Sequence, residues 1–345
     1  MWYYKLIPSI LNLHKIFFYI LISFIQIKDK KTYTKYKFIN LQKNKYPNYY
    51  FLKDLQVCEK KSNQCDCLLL LSEFSFLKIV RNINYIKRLR IYDMDYFGHF
   101  GLNMILKIQY FDLTDLKKRS KFLKDSIDNL AFLKQSNLKK SINLLGNNSS
   151  YSEKKNKIVG NLVMICNDAV KDVDLINKNE VILAIADPLF FLSETEYAKN
   201  YLEHLKKIES KLKYIITPII AIPLLKKHNI STPVIGVNSS RFQNKIYREK
   251  DGHIISKKSH NIFTQYMLPI AIYLDINIYI GGFSLTNDKK TKGLWSYDKN
   301  VVKKESKNFA FKYSFFKDRN FDKYYKKHYI YLNKFLNKIN KIYEL

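Results

Sequence analysis

The sequence predicts an α/β fold built on a mostly parallel, Rossmann-like sheet with helices on both faces. Three short apolar runs in the stretch 142–188 carry that reading: 142–145, 162–165 and 181–185. Each ends in small or polar residues, namely Gly146, Asn147, Asn148, Ser149 and Ser150, then Asn167 and Asp168, then Asp187 and Pro188. Short, mainly apolar runs of this kind, the first broken only by Asn143, suit strands buried on both faces. In open α/β sheets ligands sit beyond the carboxyl ends of the strands, where turns rich in Gly, Asn and Ser let backbone N–H groups approach a phosphate or sugar. The residues just after each run are therefore the first candidates for nucleotide contact.

The chain has 345 residues, enough for one large domain or two smaller ones. Its formal net charge of +30 favours acidic partners, such as a nucleotide sugar or a membrane surface. It does not read as nucleic-acid binding. Only seven of the basic residues are Arg, Lys is spread along every segment, and no helix-turn-helix, zinc-finger or RNA-binding pattern is present. Four cysteines, Cys58, Cys65, Cys67 and Cys166, are too few and too unevenly placed for a disulfide framework, which points to a reducing, cytoplasmic setting. Cys58, Cys65 and Cys67 have no fourth ligand at a standard spacing, so no metal site is expected, and Cys166 reads as a packing residue.

The first 31 residues are markedly apolar, but the longest run, 16–27, is too short to span a bilayer. Trp2, Tyr3, Tyr4 and Phe17, flanked by Lys28, Lys30 and Lys31, fit an interfacial helix lying peripherally on the inner face of the membrane. A core helix is the alternative. Residues 32–139 form an irregular and helical region: 28–63 is polar without period, 68–91 has helical spacing, and 113–138 reads as one amphipathic helix or two. The cluster 92–101, with Asp93, Asp95, His99 and two glycines, reads as a tight turn.

Residues 140–345 form the α/β domain. After the opening stretch, 194–208 is a helix with Ser193 as N-cap and Glu194 and Glu196 in its first turn. Residues 214–217 and 234–237 are strands, with a short helix at 219–227 between them. The basic, aperiodic segment 241–258 is read as a lid over the site. A helix at 261–271 then leads into a strand at 276–280 and the turn Gly281, Gly282, Phe283, Ser284, and the amphipathic segment 326–345 closes the chain as a helix.

With these pieces in place the chain resembles the bacterial sialyltransferase-like glycosyltransferases, the group of lipooligosaccharide sialyltransferases and related flagellar motility-accessory proteins. Three segments carry the resemblance, over roughly residues 140–345. Leu145 to Ser150 is similar to the family's Gly-Asn-Gly-Pro-Ser turn, with Asn148 in place of the second Gly and Ser149 in place of the Pro. Cys166-Asn167 is similar to a strand ending in a donor-contacting Asn. The helix from Asn261, including Thr264, followed by Ile278, Tyr279, Ile280 and Gly281, resembles the family's helix and Ile-Tyr-Leu-x-Gly strand.

The resemblance implies a GT-A-variant-like fold and transfer of a sialic or related nonulosonic acid from a CMP-activated donor to a glycan acceptor, without an essential metal or cofactor. It implies donor binding by Gly146, Asn147, Asn148, Ser149, Ser150, Asn167, Asp187, Asn261, Thr264, Gly281, Gly282 and Ser284. The family's basic His falls within 311–318, where this chain has Tyr313. A Tyr is a weak base but a fair hydrogen-bond donor to a leaving phosphate. His328 and His260 are the further candidates for the base. A catalytically inactive relative that keeps the nucleotide- or carbohydrate-binding sheet is the second reading. Phosphoryl or methyl transfer lacks support, since neither a Walker Gly-Lys-Ser/Thr sequence nor a Gly-x-Gly-x-x-Gly fingerprint is present.

Overall fold

The computed structural model describes residues 35–39, 56–57, 67–70, 89–91, 110, 114–137, 141–147, 150–186, 196–240, 243–259, 261–283, 330, 332, 336 and 341–345. The chain forms two compact units. One comprises Met1–Asp115 and Lys312–Lys317, the other Leu116–Phe311 and Asp318–Leu345.

In the first unit the described residues are four strands together with Tyr110, Thr114 and Asp115. β1 (Lys35–Ile39), β2 (Gln56–Val57), β3 (Cys67–Leu70) and β4 (Leu89–Ile91) form a parallel sheet in the order β2-β1-β3-β4. The helix expected over 68–91 is corrected at both of its ends, which are β3 and β4. Cys-Leu-Leu-Leu is an unbroken apolar run, and periodicity cannot distinguish such a run in a buried strand from one in a buried helix. The interfacial segment 1–31 and the turn 92–101 lie outside the described residues apart from their flanks.

The second unit is an α/β domain around a nine-stranded sheet ordered β10-β11-β9-β8-β7-β6-β5-β12-β13. Its central strands are β5 (Ser141–Leu145), β6 (Leu162–Cys166), β7 (Glu180–Ala184), β8 (Leu212–Pro218) and β9 (Val234–Ser240). All are parallel, and β12 (Asn277–Gly281) returns to pair with β5. Both faces are buried, as a parallel sheet requires: Val163, Met164 and Ile165 are each 0% exposed. Alternate residues point to opposite faces. On one face Leu144, Met164, Ala184, Ile216 and Val237 pack with Leu130 and Leu133 of α1 (Leu116–Gln135) and with Phe263, Met267 and Ile270.

Strand order explains the helix placement. From β5 to β9 each new strand is added on the same side, so right-handed crossovers put their connections on one face. These are α2 (Tyr151–Lys154), the 3₁₀ turn Asn167–Lys171 with α3 (Val173–Lys178), α4 (Glu196–Ile208) and α5 (Ile222–Lys227). The direction reverses after β11 (His253–Lys257). The next connection, a π-helical turn Phe263–Met267 continued by α6 (Leu268–Leu274), therefore lies on the other face. α4 buries Ala198, Tyr201, Leu205 and Ile208, one stripe at steps of three and four.

α1 takes the place of a neighbouring strand along part of β9. β11 pairs with β9 only from Asn238 onward. Before that point Asn129 Nδ2 donates to the Val234 carbonyl (3.0 Å), and the Gly236 N–H donates to Ser126 Oγ (2.8 Å). An edge that would otherwise be open is thereby satisfied.

Two further expectations are corrected. The segment 241–258 contains a β-hairpin, β10 (Tyr247–Lys250) and β11, in place of the expected lid. Asp251 and Gly252 form its turn with φ of 51° and 79°, the left-handed pair that matches the twist of a two-residue hairpin. The expected closing helix ends early. Residues 330, 332 and 336 are helical, but Ile342–Glu344 is a strand, β13, parallel to β12 at the sheet edge. Among the described residues no helix is long and apolar enough to cross a membrane.

The connections on the α2–α5 face are tied together by Asp172. Its carboxylate caps α3 at Leu175 N (3.1 Å) and accepts from Tyr151 Oη (3.0 Å) and Lys155 Nζ (2.8 Å). Burial opposes the charge, but the Lys155, Leu175 and Tyr151 hydrogen bonds outweigh it and hold Asp172 below its ordinary value of 3.8. Asp172→Ala is expected to cost about 1–2 kcal/mol in urea unfolding at neutral pH. Because the folded value is the lower one, the difference from wild type is present above pH 3.8 and disappears as the pH falls through the folded value.

Candidate functional site

β5 and β12 mark the reversal of strand order, and their carboxyl ends define the crevice where open α/β sheets bind ligands. Two of the sequence segments singled out for the donor meet here. The Gly146 N–H donates to the Gly281 carbonyl (2.9 Å). A Cβ on Gly146 would overlap the Gly282 carbonyl oxygen and touch the Phe283 ring, and one on Gly282 (φ 70°) would overlap the Gly146 carbonyl oxygen. The glycines thus allow two backbones to touch. Gly146, Gly281 and Gly282 are buried, and the Phe283 ring meets that of Phe263 at a tilt of 35°, with 4.2 Å between ring centroids.

The polar candidates divide by whether the fold already uses them. Asn147, half-buried, donates from Nδ2 to the Cys166 carbonyl (2.9 Å), bridging the ends of β5 and β6. Asn261 Oδ1 accepts the Phe263 N–H (2.9 Å) and caps the π-helical turn. Thr264, 0% exposed, shares a 2.6 Å hydrogen bond with Ser259 Oγ. Ser150 precedes α2 and accepts the Lys154 N–H at its carbonyl (3.0 Å). Asn148, Ser149, Asp187 and Ser284 lie outside the described residues, as do the three candidates for the base, Tyr313, His328 and His260.

Asn167 is different. It opens the 3₁₀ turn after β6 in the left-handed region (φ 48°), a conformation Asn tolerates better than most residues. Its carbonyl accepts Tyr201 Oη (3.3 Å) from α4, which fixes the backbone, while its Oδ1 is buried without a hydrogen-bond partner among the described residues. A buried polar atom left unpaired is destabilising, so this side chain has capacity to spare at the carboxyl edge.

Beside it stands a charged group that the sequence reading had not assembled. Asp168 is 1% exposed with Lys171 Nζ 3.4 Å from Oδ1. His204 of α4 is held below its usual value by burial, then by Lys171 and Lys207. An Asp directly after an apolar strand was the visible hint for Asp168. Lys171 meets it within the same turn, three residues on, whereas His204 joins only through the packing of α4 on the turn. Cys166 is wholly buried, and burial, then Asp168, pushes its thiol up to about 12. It packs, as its place in the run suggested, and offers no nucleophile at neutral pH.

Comparison with family models, curated proteins and solved structures gives no match to this chain.

Gly146→Ala tests the role of the glycine contact. Its Cβ would meet backbone rather than a movable side-chain tip, so the substitution is expected to cost about 3 kcal/mol or more in chemical unfolding. A variant as stable as wild type would show that the two turns can separate.

Proposed function

We propose that the second unit is a nucleotide-sugar-binding glycosyltransferase. It would transfer a sialic or related nonulosonic acid from a CMP-activated donor to a surface glycan, with residues 1–31 making peripheral contact with the membrane. The observation that carries the proposal is Asn167: a left-handed Asn at the carboxyl edge of a parallel sheet, beside the order reversal, with a buried side-chain oxygen that has no hydrogen-bond partner among the described residues. The resemblance of 145–150, 166–167 and 261–284 to the sialyltransferase-like family supports the choice of donor.

In this reaction the acceptor hydroxyl oxygen attacks the anomeric carbon, and the bond from that carbon to the phosphate oxygen breaks. The acceptor's proton goes to a base, and CMP departs with the negative charge. Such chemistry needs a hydrogen-bond donor at the leaving phosphate and a base near the acceptor. His328 or His260, both in the second unit, is proposed for the second role; Tyr313, which the resemblance suggests for the first, belongs to the first unit.

Titration of wild-type protein with CMP by calorimetry is expected to show saturable binding, weakened about tenfold in Asn167→Ala by loss of one hydrogen bond and its desolvated setting. Incubation with CMP-sialic acid and a glycan acceptor is expected to release CMP, and His260→Ala combined with His328→Ala to abolish that release. Absence of binding to CMP and related nucleotides sinks the reading. Binding without turnover identifies a binding module that has lost catalysis.

A further inference from the structure

We infer that Thr217 is a second ligand contact, gripping with Asn167 one polar ligand that lies across the carboxyl ends of β6 to β8; this rests on the nucleotide reading above. Cys166, Ala184 and Ile216 are paired across β6, β7 and β8, and the next residues along are Asn167, Ile185 and Thr217. The Ile185 N–H donates to the Ile216 carbonyl (2.8 Å), so the ladder holds to the end of the row.

Thr217 is 1% exposed and its Oγ1 has no hydrogen-bond partner among the described residues. Its neighbours on the same face of the sheet are apolar: Ile215, Leu183 and Ile185, each 0% exposed. A Val would fill the same space there without burying an unpaired hydroxyl, so the Thr carries a cost that packing does not explain. Asn167 Oδ1 carries the same kind of cost two strands away, a separation of about 10 Å. Both groups are uncharged. A carbonyl-type oxygen and a hydroxyl suit the hydroxyl or amine groups of a nucleoside or sugar rather than a phosphate, and the spacing requires a ligand longer than a single ring. The nucleoside therefore runs along the edge from Asn167 toward Thr217, leaving the phosphate on the Asn147 side.

The two roles of Thr217 predict effects of opposite sign. Thr217→Val is expected to raise the melting temperature of the free protein by a few degrees while weakening CMP binding about tenfold. Thr217→Ser, which keeps the hydroxyl, should bind CMP within about twofold of wild type. Thr217→Ala serves as a second variant lacking the hydroxyl, should Thr217→Val fail to fold. Wild-type affinity for CMP in either variant lacking the hydroxyl overturns this inference and leaves the nucleotide reading standing. Failure of wild-type protein to bind CMP, UMP or AMP overturns both.

Discussion

The carboxyl edge of the large sheet depends on two backbones touching where Gly146 follows β5 and Gly282 follows β12. A single methyl group at either position would occupy the other's carbonyl. With the contact in place, β12 can pair with β5 along its whole length, and the connection that precedes β12 must cross to the opposite face. The reversal of strand order, the two-sided covering of the sheet and the crevice at its carboxyl ends all follow. The Phe263–Phe283 ring contact ties the π-helical turn to the same point, so the glycine contact also sets where that turn begins.

Around this point, hydrogen bonding separates scaffold from site. Asn147, Asn261 and Thr264 have the residue types expected of ligand contacts, yet each is engaged in joining one element to the next. Breaking such a bond to serve a ligand would leave a buried group unpaired and offset much of the gain. Asn143 shows the same economy in the core: it is 0% exposed and satisfied by Val159 and the Leu162 carbonyl, fixing the chain's approach to β6. Against that pattern, the side-chain oxygens of Asn167 and Thr217 are buried without a hydrogen-bond partner among the described residues.

The central strands were legible because burial on both faces leaves few polar positions to interrupt them: 162–165 and 181–185 are unbroken apolar runs, and 142–145 is broken only by Asn143. Helices 116–135 and 196–208 were legible because each buries one stripe. The hairpin at 247–257 was missed although Asp251-Gly252 is a strong local cue for a two-residue turn; its strands carry so many charged residues that apolar periodicity is faint. β13 was missed for a related reason. Three residues at an edge, pairing on one side, bury too little to show a period of two. In 68–91 the described ends, 67–70 and 89–91, pair as strands, where three or four residues are too few to show which period they follow.

The sequence by itself determined that a parallel α/β sheet would form, and that small polar turns would follow its strands, because both consequences are local: apolar content dictates burial, and Gly, Asn and Asp permit the turns. Tertiary structure decided the order of the strands, and with it which turns face one another. It also decided which polar side chains would be consumed in holding the fold. Asn147 and Asn167 are the same residue type in equivalent turns, and nothing in the chain order distinguishes them. One reaches the Cys166 carbonyl across the strand gap, while the other is turned left-handed and its amide oxygen meets no hydrogen-bond partner among the described residues. That difference is set by distances between strands, which only the packed sheet establishes.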